Sequence, residues 1–290
     1  MDQQKITEEE LNRELKGNKT TAAVCRLIGK IVAVLAFICV VTGQILLAIL
    51  LIILACVLGS VKDKKDTVLK KQIGENLVKE ALQEVLEDVI YEPFGKIGIT
   101  QIQGSGVMIP LDDHIKAVYK DLNMEFSDII LCQDENIYNE EMQVWENKKR
   151  EVFKGQWLIC DLGRELSAQV SLFPRTGFQR LIRTDTIKTG NEVFDKHFTV
   201  RSDDGEKVFH ILTPHMIEYI LSAAEISGGK LYMSFLKEGK LHIAVESDCD
   251  FFEAGKGSID ADRLREKFTT QIRWFTDMID ELRLTDTLYR

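Results

Sequence analysis

His197, His210 and His215 stand with Asp203 and Asp204 inside one short stretch, the densest group of potential ligands in the chain. Imidazole and carboxylate are the donor set of a zinc or hydrolytic metal site, provided that they converge on one point. His197, Asp203 and His215 are the candidates for such a site, and a hydrolase-like membrane-bound enzyme built on residues 197–215 is the alternative functional reading. The same residues also have structural work. Asp203 and Glu206 form a capping-box pattern ahead of Val208, Phe209, Ile211 and Leu212. Thr213-Pro214 then opens a further helix, which places His215 in its first turn. The structural roles take precedence, so no catalytic residue, metal ligand or cofactor is assigned.

Other chemistry-bearing residues fare no better. Cys160-Asp161 ends a run in which Trp157 and Ile159 alternate with Leu158 and Cys160, the pattern of a strand, so the thiol reads as buried rather than nucleophilic. Gly255-Lys256-Gly257 precedes a helix but lacks P-loop spacing and a preceding strand. Gly104-Ser105-Gly106 reads as a turn. Cys25, Cys39 and Cys56 fall in or beside an apolar block, while Cys132, Cys160 and Cys249 are widely separated. With no CxxC pair, zinc is disfavoured, and free thiols fit a reducing cytosol.

The elements that carry these residues begin with that apolar block. Ile31 to Val61 contains no Asp, Glu, Lys, Arg or His. As one helix it would be roughly 46 Å long, against a hydrocarbon core of about 30 Å. Thr42-Gly43-Gln44 is its polar break, so the block is predicted to form two short spans, about residues 23–41 and 45–61, folded back at that turn. Gln44 is read as a turn residue. Lys16, Lys19, Arg26 and Lys30 precede the block, and Lys62, Lys64 and Lys65 follow it. Positive flanks stay on the cytoplasmic side. A hairpin keeps both inside, with Arg26 and Lys30 snorkelling to the interface. From Gln72 onward there are 26 basic and 39 acidic residues, within a chain of 290 residues and net charge −9. That acidic remainder excludes general nucleic-acid binding.

Thr7 and Glu10 mark a short polar helix in residues 1–22. After the block, Leu69, Ile73, Leu77, Ala81, Val85 and Val89 recur every four residues until Pro93, predicting an amphipathic helix over 62–92. Residues 93–290 change texture to short alternating runs. Strands are predicted at His114–Tyr119, Met124–Leu131, Glu141–Trp145, Val152–Asp161 and Ala168–Phe173. Leu231–Leu236 and Lys240–Val245 form a hairpin around Glu238-Gly239, and Leu264, Phe268, Ile272, Phe275, Ile279 and Leu282 form the face of a last helix. The class is α+β: a transmembrane helical hairpin, a long amphipathic helix, then a mainly antiparallel sheet with flanking helices.

The region after the block resembles a bacterial membrane-anchored family, the domain of unknown function numbered 3137. The resemblance rests on Asp113 through Tyr119, Glu125 through Asp128, Phe153 through Trp157, Phe194 through Phe198, Ser202 through Asp204, and Leu212 through Met216, with Ser234-Phe235. It implies an inner-membrane protein without established activity, and it makes a small membrane-anchored helical protein of the LemA type a conceivable partner. It carries no catalytic residue over. The expectation is a non-catalytic protein-binding or scaffolding module, anchored in the lipid bilayer with its soluble domain in the cytoplasm.

Overall fold

The computed structural model describes residues 8–92, 95, 97, 106–139, 143–175, 186–248, 251–252 and 260–284. Thr7, Gly104-Ser105 and Gly255-Lys256-Gly257 lie outside these residues. The chain divides into two compact units, Met1–Ala81 with Ala254–Phe268, and Leu82–Glu253 with Thr269–Arg290.

In the first unit, α1 (Glu8–Val41) and α2 (Ile45–Ile73) are joined by the turn at Thr42-Gly43-Gln44. Gly43 takes φ +79°, where the lack of a Cβ removes the clash. The positions of α1 turned from solvent include Leu15, Asn18, Ala22, Cys25, Gly29, Val32, Ala36 and Cys39. Those of α2 include Ala48, Leu51, Ala55, Leu58, Lys62, Lys65, Leu69 and Gln72. Both series alternate steps of three and four, the seam of a left-handed coiled coil. Small residues let the backbones approach: a Cβ added at Gly29 would lie 3.9 Å from that of Leu58. The rest of the block faces outward, as at Phe37 (70% exposed) and Leu46 (86%).

The seam corrects two expected boundaries. Among the described residues the expected short polar helix is not separate from the first span: α1 runs unbroken from Glu8, and Leu15 and Asn18 continue the seam of the span itself. The helix expected over 62–92 is the continuation of α2. It passes through a π-helical turn (Gly74–Val78) into α3 (Lys79–Gln83) and ends there. The wider turn shifts the buried stripe to Leu77, Val78, Ala81 and Leu82, leaving Lys79 and Gln83 exposed. Val89 belongs to a strand, β1 (Glu87–Glu92), whose β-branched and aromatic residues suit sheet pairing better than another helical turn.

The second unit is built on one eight-stranded sheet in the order β1-β2-β3-β4-β8-β7-β5-β6, every pairing antiparallel. Its further strands are β2 (Gly106–Tyr119), β3 (Leu122–Asn139), β4 (Val144–Asp161), β5 (Val170–Pro174), β6 (Phe198–Ser202), β7 (Lys230–Phe235) and β8 (Lys240–Glu246). The two strands expected at 141–145 and 152–161 are one: Trp145 and Lys148 keep pairing with β3 across the charged stretch between them. Helices α4 (Glu192–His197), α5 (Val208–Ile211) and α6 (Pro214–Ile226) lie among the strands in sequence, and α7 (Ala261–Glu281) follows them. Thr213 caps α6 as expected, its hydroxyl accepting from Met216 N at 3.2 Å.

Register separates two faces. Ile115, Phe126, Leu158, Ile243, Met233, Leu172 and Val200 are successive partners across seven strands, and each is buried. Phe126 of this row stacks 4.4 Å from Phe275, which brings α7 onto that face. Displaced by one residue, on the opposite face, runs a second row: Lys116, Glu125, Ile159, His242, Ser234, Ser171 and Arg201. Six of its seven members are polar.

Candidate functional site

The histidine group of residues 197–215 does not assemble. His197 is exposed at the end of α4, its Nδ1 2.9 Å from the Val193 carbonyl. His215 is exposed on the first turn of α6, stacked against Tyr219 and 3.8 Å from Glu218. Asp203 bonds Lys237 at 2.6 Å and accepts from Gln169 N at 2.9 Å. Lys237, above all, holds the Asp203 carboxyl below its usual range. The cap falls one residue later than expected: Asp204 accepts from Glu206 N and Lys207 N at 3.1 and 3.0 Å. The Asp204 side chain is thus the one aligned with the exposed N–H groups, while Asp203 turns back to Gln169 before β5 and Lys237 after β7. With Lys207 beside it, the pKa of Asp204 falls to about 2. Among the described residues no three His, Cys, Asp or Glu side chains are placed to hold a metal ion.

Cys160 is fully buried, and burial alone pushes its thiol far above the ordinary range, which removes the thiolate that a nucleophile requires. Gln44 sits at the start of α2 without a side-chain cap bond. The basic flanks meet across the hairpin. Arg26 lies 3.6 Å from Asp66, Lys62 bonds Asp63 and Asp66, and Lys65 donates to Asn18 Oδ1 at 3.0 Å.

The polar sheet row was invisible in the sequence because only strand register brings its members together. Near one end, His114 lies between two carboxylates. Its Nδ1 is 3.1 Å from Glu92 Oε2 and its Nε2 is 2.8 Å from Glu125 Oε1. Its pKa is raised, chiefly by the bond to Glu125, with burial opposing and Glu92 adding to it. The carboxylates sit on opposite sides of the ring, so they cannot close on one cation. Three strands further on, His242 is 2% exposed and accepts at Nδ1 from Trp157 Nε1 at 3.2 Å. That bond puts the ring proton on Nε2, which has no hydrogen-bond partner among the described residues. Burial lowers the His242 pKa to about 4. Ser234 and Ser171 continue the row, hydroxyl to hydroxyl at 3.0 Å.

A second feature lies where β3 turns into β4. Among the described residues β2 pairs with β3 as far as Gln133, and β8 pairs with β4 from Gly155. Between those limits β3 and β4 pair with each other as a two-stranded ribbon ending at Asn139 and Val144. Near its tip Tyr138 and Trp145 face each other with ring centroids 5.3 Å apart, and they are 45% and 71% exposed. Ile137 and Val144 beside them are also exposed. A cleft of about 250 Å³ opens elsewhere in this unit, lined by Leu162, Arg164, Leu166, His210, Ile211 and Phe235 among others.

The fold is thus that of an α+β domain, one antiparallel sheet with helices, in a chain that also carries two long apolar helices, Asn12–Val41 and Ile45–Gln83. Residues 151–284 match the family model described as "Protein of unknown function (DUF3137)". The match begins within β4, so the resembling motifs at Asp113–Tyr119 and Glu125–Asp128 lie upstream of it. The solved mycobacterial trehalose monomycolate transport factor A, TtfA, is similar at 10% identity, over 72% of this chain and 95% of that one, with a TM-score of 0.34. A likeness that distant carries no functional argument. No curated protein matches significantly.

Proposed function

We propose that the chain is a non-catalytic protein-binding module, held in a bilayer by the α1–α2 hairpin with its sheet domain on the cytoplasmic side. The apolar exterior of the hairpin supports the anchor: in the most apolar stretches of its two helices only 11% and 6% of residues are buried. The basic residues on both flanks support the orientation. The ribbon tip carries the binding reading. Trp and Tyr are costly to leave in water and are the residue types that dominate protein interfaces, and here both are exposed near the tip of the β3–β4 ribbon. The partner is a membrane protein, and a small helical one of the LemA type is the first to test.

A photoreactive residue replacing Trp145, in the full chain in native membranes, tests this. A discrete adduct is expected from that position and not from an equivalent probe at Val193, which is also exposed but lies on α4. Trp145→Ala should abolish co-purification of the same partner while leaving the unfolding transition unchanged. Identical adducts from both positions, or none from Trp145, would remove the ribbon as the binding element.

A further inference from the structure

The side chain of His114 is 4% exposed, and its two neighbours come from different strands: Glu92 from β1 and Glu125 from β3. An ionised carboxylate only accepts hydrogen bonds, so both ring nitrogens must donate. Imidazolium alone does that. Gly95 packs against His114, its N–H donating to Glu92 O at 3.0 Å. A Cβ at Gly95 would lie 2.7 Å from those of both Glu92 and His114.

What His114 holds is the edge of the sheet. β1 pairs with β2 alone, and its register slips between Glu87 and Ile90. None of its residues is fully buried. Glu92 ties it to His114, and the Tyr91 hydroxyl ties it to the Asp113 carboxylate. β1 also follows α3 after three residues, so it is the strand by which the chain leaving the apolar helices enters the sheet. We propose that His114 is a proton-operated clamp on β1: the imidazolium pins the edge strand through Glu92 and Glu125, and the neutral ring lets it go.

Charged and titratable groups from each neighbouring strand set the balance. Glu92 and Tyr91 come from β1, Asp113 and Lys116 from β2, and Glu125 from β3. Glu125 and Glu92 favour the cation, whereas Lys116 and burial oppose it. The net effect raises the pKa above its ordinary 6.5. The clamp is therefore fully engaged below pH 6.5 and is lost as pH climbs through the raised value.

Hydrogen exchange read by mass spectrometry on the full chain in lipid nanodiscs, from about pH 6 to about pH 9 and corrected for intrinsic exchange, tests the clamp. Protection of residues 87–92 should fall tenfold for each unit by which the clamp raises the His114 pKa. Residues 155–161 of β4 should hold their protection. His114→Gln should leave 87–92 weakly protected at every pH. Should that variant not fold, Glu125→Gln keeps the ring and removes its strongest partner, and the midpoint should move to lower pH. Flat protection of 87–92 in the wild-type chain, or an unshifted midpoint in Glu125→Gln, would overturn the proposal.

Discussion

Asn18 donates its side-chain amide to Gln72 Oε1 at 2.9 Å, a bond between α1 and α2 at seam positions of both. Gln72 donates onward to Glu14 Oε2 at 2.7 Å, and Lys65 donates to Asn18 Oδ1 at 3.0 Å. A polar residue at a seam position fixes register, because any slip leaves its partners unpaired. Asn18→Leu is therefore expected to destabilise the hairpin by about 1 kcal/mol, since Gln72 and Lys65 lose a partner while still half-buried. Asn18→Leu with Gln72→Leu should recover most of that loss and relax the register. Thermal unfolding followed by helical dichroism in detergent, with disulfide trapping across the seam, reads both effects.

His242 makes a prediction of opposite sign to that of His114. Its folded pKa of about 4 lies below the ordinary 6.5, so folding favours the neutral ring. The stabilisation is full above pH 6.5 and is lost as pH falls from there toward 4. One proton taken up on unfolding over that window costs about 1.4 kcal/mol per pH unit, roughly 3 kcal/mol in all. In His242→Phe the acid limb of the stability profile should be shallower, with about 1 kcal/mol lost at neutral pH because Trp157 Nε1 has no acceptor. Urea unfolding at several pH values distinguishes the two terms. An unchanged acid slope would mean that the carboxylates alone drive acid unfolding.

The two histidines that matter most in the sheet were not legible in the sequence, and those that attracted notice there lie on the surface. The reason is physical. His197, Asp203 and His215 are close in sequence, but they fall on α4, on the bend after β6 and on α6, where they meet different partners. His114 and His242 sit more than a hundred residues apart, and antiparallel register sets them in or beside one row. Elements with a strong local period were legible: the Glu238-Gly239 hairpin, the Thr213-Pro214 helix start and the apolar face of α7 all lie where the pattern puts them. Failure came where two patterns overlap. Spacing of four from Leu69 to Val89 runs across a π turn, a helix end and a strand, and spacing alone does not record the change of backbone.

The exposed histidines yield a plain test of the metal reading. His197→Ala and His215→Gln each remove a side chain whose contacts are local to its own helix. Each should shift stability by no more than about 0.5 kcal/mol, as surface substitutions do. Metal content of the purified protein, read by elemental analysis, should be the same in wild type and in both variants. About one equivalent of a transition metal, lost in both, would restore the hydrolase reading.

The last prediction concerns how far the hairpin reaches. From Arg26 to Val41 the helix climbs roughly 23 Å, and from Ile45 to Lys62 roughly 26 Å, at about 1.5 Å per residue. A hydrocarbon core is about 30 Å thick, so the two spans are short by a few ångströms. Arg26 is tied to Asp66, and Lys62 to Asp63 and Asp66, which places paired charges at the entry of both helices and resists sliding deeper. Snorkelling of these long side chains and local thinning of the bilayer make up the difference, each at a fraction of a kcal/mol per ångström. The turn at Thr42 is therefore expected to reach the far headgroups and no further. Single cysteines at Gly17, Thr42 and Lys148, in a background without native cysteines, read this with an impermeant thiol reagent. A Cβ at Gly17 meets nothing within 4 Å, and the Lys148 side chain is 58% exposed, so neither change disturbs a contact that matters. In intact cells the Thr42 site alone should react, more slowly than a fully exposed thiol, and the other two only after permeabilisation. Reaction at Lys148 in intact cells would put the sheet domain on the outside. Reaction at one of Gly17 and Lys148 without the other would replace the hairpin by a single crossing, which the seam between α1 and α2 forbids as long as the two helices stay paired.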